Sequence, residues 1–225
     1  MGRLASMALV ACSATSAIWG ATILDTFGPG STFVSPGVTV GGGIFPRNDP
    51  PPNQGATQAW EFAPTFSATL DQIDLAVQYI PDPTGAGGPP DLDVSLFSNA
   101  AGQPGVSIET ILLTNVNGGS TTAGIASALS ATHPLLMAGT DYWIVVAPPD
   151  LLNTAFDWKL SPLSSDGVIA GASRLGTAPW QTFAESGGNA FDISGTVATP
   201  EPPTSTLGTL GFLALYLLAY RGLRP

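Results

Sequence analysis

The chain has 225 residues, six of them basic and sixteen acidic, for a formal net charge of −10 at pH 7. So few basic residues cannot neutralise a phosphate backbone, which excludes nucleic acid as a partner. A single cysteine excludes a disulfide framework within one chain and a zinc site built on several thiolates. The 27 glycines and 21 prolines exclude a coiled coil or long helical bundle, and they follow no Gly-X-Y period.

At the N-terminus, Arg3 precedes the apolar run Leu4 to Ala11 and then a stretch of small residues. A positive n-region, a short apolar h-region and small residues are the three parts of a secretory signal. Residues 1–21 are therefore expected to be a signal peptide, cleaved after Ala17 or Ala21. Cys12 follows Leu9-Val10-Ala11 in an arrangement similar to a lipoprotein lipobox, but the apolar run before it is short, and it is expected to be an ordinary signal-peptide cysteine.

Residues 22–198 carry three basic against fifteen acidic residues, a net charge of −12. Their apolar periodicity is mostly two, the period of a half-buried strand. Ile73, Leu75, Val77 and Tyr79 alternate with polar or small residues, as do Leu92, Val94 and Leu96. Tyr142 to Ala147 is apolar on both faces, which predicts a central strand. Phe191 to Val197 predicts a last strand, and Ile108 to Val116 and Ala155 to Leu160 are weaker candidates. Gly/Pro/Asn clusters such as Pro81 to Gly85, Gly102 to Gly105, Asn117 to Gly119 and Gly187 to Asn189 punctuate them as turns, and Pro46 to Asn53 is a polar loop. Short strands with such punctuation predict an all-β, jelly-roll-like β-sandwich.

Within this domain the common catalytic signatures are missing: no G-x-S-x-G, no phosphate-binding G-x-x-x-x-G-K-[ST] and no H-E-x-x-H. The one histidine, His133, precedes a proline and is expected to be a turn residue. Glycoside hydrolysis needs two carboxyl groups about 5–10 Å apart, and Glu61 and Glu185 are the glutamates with tryptophan neighbours. Asp71, Asp74, Asp91 and Asp93 are spaced closely, but the full loop of an EF-hand is absent, so no metal and no cofactor is expected. Flat aromatic faces suit sugar rings, which makes Trp60, Trp158 and Trp180 the candidate carbohydrate-binding residues; Trp143, on the two-sided apolar strand, is expected inside.

The C-terminus joins Pro200-Glu201-Pro202 to an apolar segment at about 204–220 and then to Arg221 and Arg224. Seventeen helical residues rise about 25 Å, near the lower limit for crossing a hydrocarbon core. Arginines after the segment would hold that end in the cytoplasm and leave the rest outside.

This three-part tail, residues 199–225, resembles the PEP-CTERM sorting signal of Gram-negative bacteria. The resemblance implies that an exosortase, a membrane protease-transpeptidase, is a partner and removes the tail near the motif, that the precursor passes through the inner membrane, and that the product belongs to the cell surface or exopolysaccharide matrix. The domain itself is similar to the choice-of-anchor type R family. That likeness is carried by Leu24-Asp25-Thr26-Phe27, Gln58-Ala59-Trp60-Glu61-Phe62, Leu92 to Phe97 with Gly102-Gln103-Pro104-Gly105, Leu136 to Val145, and Ala190 to Thr196. It implies export and a sandwich fold, and no activity. The expected function is that of a non-catalytic surface or matrix protein; the alternatives are a carbohydrate-binding module of the biofilm matrix, with exopolysaccharide as ligand, and, with less support, a glycoside hydrolase.

Overall fold

The structure is a computed structural model and describes residues 20–42, 55–81, 87–163, 167–184 and 188–198. The expected signal peptide, the sorting motif Pro200-Glu201-Pro202, the apolar segment 204–220, Arg221, Arg224, the loop Pro46 to Asn53 and Glu185 lie outside the described residues. Among the described residues no helix is long and apolar enough to cross a membrane.

The fold is all-β, a curled antiparallel sheet of thirteen strands. They are β1 (Ala21–Asp25), β2 (Val34–Gly41), β3 (Ala56–Phe62), β4 (Ala68–Ile80), β5 (Leu92–Asn99), β6 (Pro104–Leu113), β7 (Gly124–Leu129), β8 (Leu135–Leu136), β9 (Tyr142–Ala147), β10 (Ala155–Leu160), β11 (Val168–Leu175), β12 (Gln181–Phe183) and β13 (Phe191–Val197). The main path runs β1-β13-β4-β10-β2-β3-β9-β5-β6, with β7 and β8 on the far edge of β4, and β11 and then β12 beyond β3.

The alternation legible in the sequence is the alternation that curls the sheet. Ile73, Leu75 and Val77 of β4, Leu92, Val94 and Leu96 of β5, Ile144 and Val146 of β9, and Phe191 and Ile193 of β13 all enter one buried cluster with Trp60, Phe62, Phe156 and Trp158. Strands far apart in the hydrogen-bonded order therefore share one core. The halves of the sheet meet at the single pair Gly41–Ala56. Gly41 adopts φ +78°, and a Cβ there would sit 2.2 Å from the Thr154 carbonyl oxygen. Only glycine allows the chain to turn that corner.

β4 is the longest strand, and it changes partner along one edge. Ala68 to Leu75 pairs with β13, and Val77 to Ile80 pairs with β10. At the switch the Ala76 N–H donates to the Ala190 carbonyl, 3.0 Å. Beside it, Asn189 is fully buried. Its amide accepts from Trp60 Nε1 and donates to the Trp158 carbonyl, with a longer contact to the Lys159 carbonyl at 3.3 Å. The Asn189 carbonyl in turn accepts from Thr26 Oγ1 at 2.8 Å. Four segments are joined through one side chain and its backbone, so Asn189, expected to belong to a turn, is a polar knot in the core.

β9 is the expected central strand, between β3 and β5, and β10 and β13 have the predicted bounds. The weaker candidate at Ile108 to Val116 is displaced: β6 begins at Pro104 and ends at Leu113, and Val116 opens a short 3-10 turn.

Candidate functional site

Trp60 is 2% exposed and Trp158 is fully buried. Their rings fill the core, and Trp158 packs on Phe191 with centroids 5.8 Å apart. Neither offers a flat face to a sugar, which corrects the expectation for these two residues: each lies at a strand position that points into the curl, as the apolar cluster they join requires. Trp180, between β11 and β12, is partly exposed and is the one of the three candidates with a surface to offer.

The ground beneath Trp180 follows from register. On the face turned away from the main core, Thr182 pairs with Ala172, Ala172 with Ala59, Ala59 with Val145, Val145 with Ser95 and Ser95 with Thr110. This row of small side chains crosses six strands. Alongside it runs a bulkier row, Glu61–Trp143–Phe97–Ser107. Ala59, Trp143, Val145 and Ala172 form a second buried apolar cluster, with Phe97, Ala170 and Trp180 packed against it. Trp143 is thus interior as expected, but in this second layer and not in the main core.

Two polar features flank the layer. The Arg174 guanidinium lies 4.5 Å from the centroid of the Trp180 ring, a stacked cation–π arrangement. Its Nε is buried and donates to nothing. At the other end, Glu61 is 5% exposed, and burial first, then the nearby Asp141, pushes its carboxyl above the ordinary glutamate value. Asp141 Oδ2 accepts from Asn99 Nδ2 at 3.3 Å, and Asn99 Oδ1 accepts from Trp143 Nε1 at 3.3 Å and from the Gly102 N–H at 2.9 Å. Glu61, opposite Trp143 in the register, and Asp141, linked to Trp143 through Asn99, place two carboxyl groups at the same tryptophan.

The remaining candidates are engaged structurally. His133 has φ +47°, and its Nδ1 lies 3.0 Å from the Leu70 carbonyl and 3.1 Å from Asp71 Oδ1. Asp71 Oδ2 accepts from Thr196 Oγ1 at 2.8 Å, Asp74 Oδ1 from Gln72 Nε2 at 2.8 Å, and Asp91 Oδ1 from the Asn115 N–H at 2.9 Å. Asp93 is held above the ordinary aspartate value by burial and by Asp91. Among the described residues no three metal-ligating side chains are gathered closely enough to hold an ion. A shallow groove of about 430 Å³ lies between the ends of β6 and β7, lined by Leu112, Asn115, Asn117, Ile125 and Ser127 among others; its lining includes no aromatic or charged side chain.

Arg174 and Asn189 are the residues that sequence reasoning missed. A single arginine in a run of small residues and an asparagine after two glycines carry no pattern in one sequence. No family model matches the chain, and no curated protein matches it.

Proposed function

We propose that this chain is an exported, non-catalytic protein of the cell surface or exopolysaccharide matrix, sorted by an exosortase through Pro200-Glu201-Pro202. The observation that carries this reading is the order of three elements in residues 199–225: motif, short apolar segment, then Arg221 and Arg224. The resemblance of the tail to the PEP-CTERM signal, the signal-like residues 1–21 and the likeness to the choice-of-anchor type R domain support it. The inward faces of both halves of the sheet share one core, which supports a jelly-roll-like sandwich as the cargo. Protein tagged within the domain is expected to lose its tail and reach the surface in cells that make exosortase, and to stay unprocessed in the inner membrane of cells that lack it. An intact tail in a normal host overturns the proposal.

A second reading, carbohydrate binding within the matrix, is favoured by the partly exposed Trp180 with Arg174 stacked on it. A partly exposed indole face suits the apolar face of a sugar ring. Trp180→Ala and Arg174→Ala are each expected to weaken retention on the host's exopolysaccharide at least tenfold with the fold intact; no retention of the parent protein removes this reading. A glycoside hydrolase has less support, because Glu61, one of its two candidate glutamates, is buried.

A further inference from the structure

β1 and β13 are the first and last strands of the described domain, and β13 lies between β1 and β4. Across these three strands the register places Asp25 opposite Asp192 and Asp192 opposite Asp74. Like charges directly opposite one another weaken a sheet, and here three carboxyl groups stand in one row.

Hydrogen bonding distinguishes the middle member. Asp25 Oδ1 accepts from the Phe27 N–H at 2.8 Å, and Asp74 Oδ1 accepts from Gln72 Nε2 at 2.8 Å. Both flanking groups are thereby held as hydrogen-bond acceptors. Asp192 Oδ1 is buried and accepts nothing, while the Ile193 N–H donates to the same carboxyl group and offsets part of the effect of its burial. Two residues along each strand, Ala76 and Ala190 form an apolar cluster with Phe27, against which Phe33 packs, so the row ends against greasy ground.

Among the described residues, the other groups near the row do not neutralise it. From β1 the facing group is Asp25, and from β4 it is Asp74 with Gln72. Beyond β4, Asp74 pairs with Ser127 of β7, and Ser194 is the next outward residue of β13 itself. Lys159 of β10 has its amine on Asp157 Oδ2 and Gln78 Oε1. His133 and Thr196 are bound to Asp71.

We propose that the Asp25–Asp192–Asp74 row is an acid-set clasp: a proton on Asp192 fastens β1 to β13 and β4, and its loss loosens the domain's first strand. When protonated, Asp192 can donate to a neighbouring carboxylate; when ionised, it makes three adjacent negative charges with no cation among them from the described residues. Burial, followed by Asp25 and Asp74, pushes Asp192 up to about 6. The sign follows from linkage. A carboxyl whose folded value lies above its unfolded value binds more protons in the native state, so its contribution is present in full below about pH 4 and is lost as pH rises through about 6.

The experiment is hydrogen exchange on the full detergent-solubilised chain at pH 5 and pH 7.5, corrected for intrinsic exchange and read by mass spectrometry. Peptides covering β1 are expected to lose protection at least fivefold at the higher pH, while peptides covering β9 change less than twofold. Asp192→Asn, which keeps the shape without the charge, is expected to hold β1 protection equal at both pH values. Equal protection in the parent chain, or an undiminished loss in Asp192→Asn, overturns the proposal. Carboxyl carbon NMR of the unmutated chain gives a second test: an Asp192 titration midpoint below 4.5 overturns it without reference to any variant.

Discussion

Asn189 shows how much one polar side chain can organise. It holds Trp60 by the indole N–H, β10 by two carbonyls and the segment after β1 through Thr26. Each stranded buried group costs about 1–3 kcal/mol. Asn189→Ala is therefore expected to lower stability by about 3 kcal/mol or more, read as a lower urea midpoint with an unchanged slope. Glu109 does similar work at the turn after β7, accepting from Ser130 Oγ at 2.7 Å and from the backbone of Ala131 and Thr132. Those hydrogen bonds outweigh its burial and hold its carboxyl below the ordinary glutamate value. The role of either residue was illegible in the sequence, because the partners lie 21 to 163 positions away. The same holds for the tryptophans. A tryptophan is legible as a large apolar surface, but whether the surface faces inward is decided by strand register, and Trp60 and Trp158 fall on the inward side.

At the scale of elements, legibility depended on contrast between neighbouring side chains. β9 and β13 contrast strongly with their turns and have the expected bounds, and the weaker candidate at β10 has its expected bounds too. β3 did not stand out as a strand: Thr57, Gln58 and Glu61 are polar in the sequence, yet all three are buried in the structure because β3 is flanked by β9 and β11 and covered on both faces. The middle of β11, Ala170 to Ser173, is written in alanine, glycine and serine, which give almost no periodic signal. β7 inverts the usual pattern. Its alanines Ala126 and Ala128 face the core, while Ile125 and Leu129 are 40% and 64% exposed. Space against β4 explains this, since Ala128 lies opposite Ile73 and Ala126 opposite Leu75. Leu129→Lys is thus expected to change stability by no more than about 0.5 kcal/mol. Ala128→Asp places an unpaired charge in the core and is expected to cost well over about 2 kcal/mol. Thermal denaturation of the pair checks both, and a slipped register would exchange the two outcomes.

At the scale of the whole molecule, the acidic balance stated at the outset has a location. Part of it is gathered where the first and last strands meet, and the two cations among the described residues are committed elsewhere: Lys159 to Asp157 and Gln78, Arg174 to the face of Trp180. The sheet class and the single main core were legible from periodicity. The second apolar layer was not, because it exists only once β3, β5, β9 and β11 are side by side.

The pairing of β1 with β13 also sets how the domain would bear load. The strands are antiparallel, and Ala21 at the start of β1 lies beside Gly195 near the end of β13. The chain therefore enters and leaves the domain at neighbouring points. Tension between those two points would open the ladder like a zipper, one rung at a time from Ala21 towards Asp25, and would not shear all the rungs together. Such a domain yields to a gentle pull on its own two ends, yet it hangs from either end alone with the β1–β13 seam unloaded.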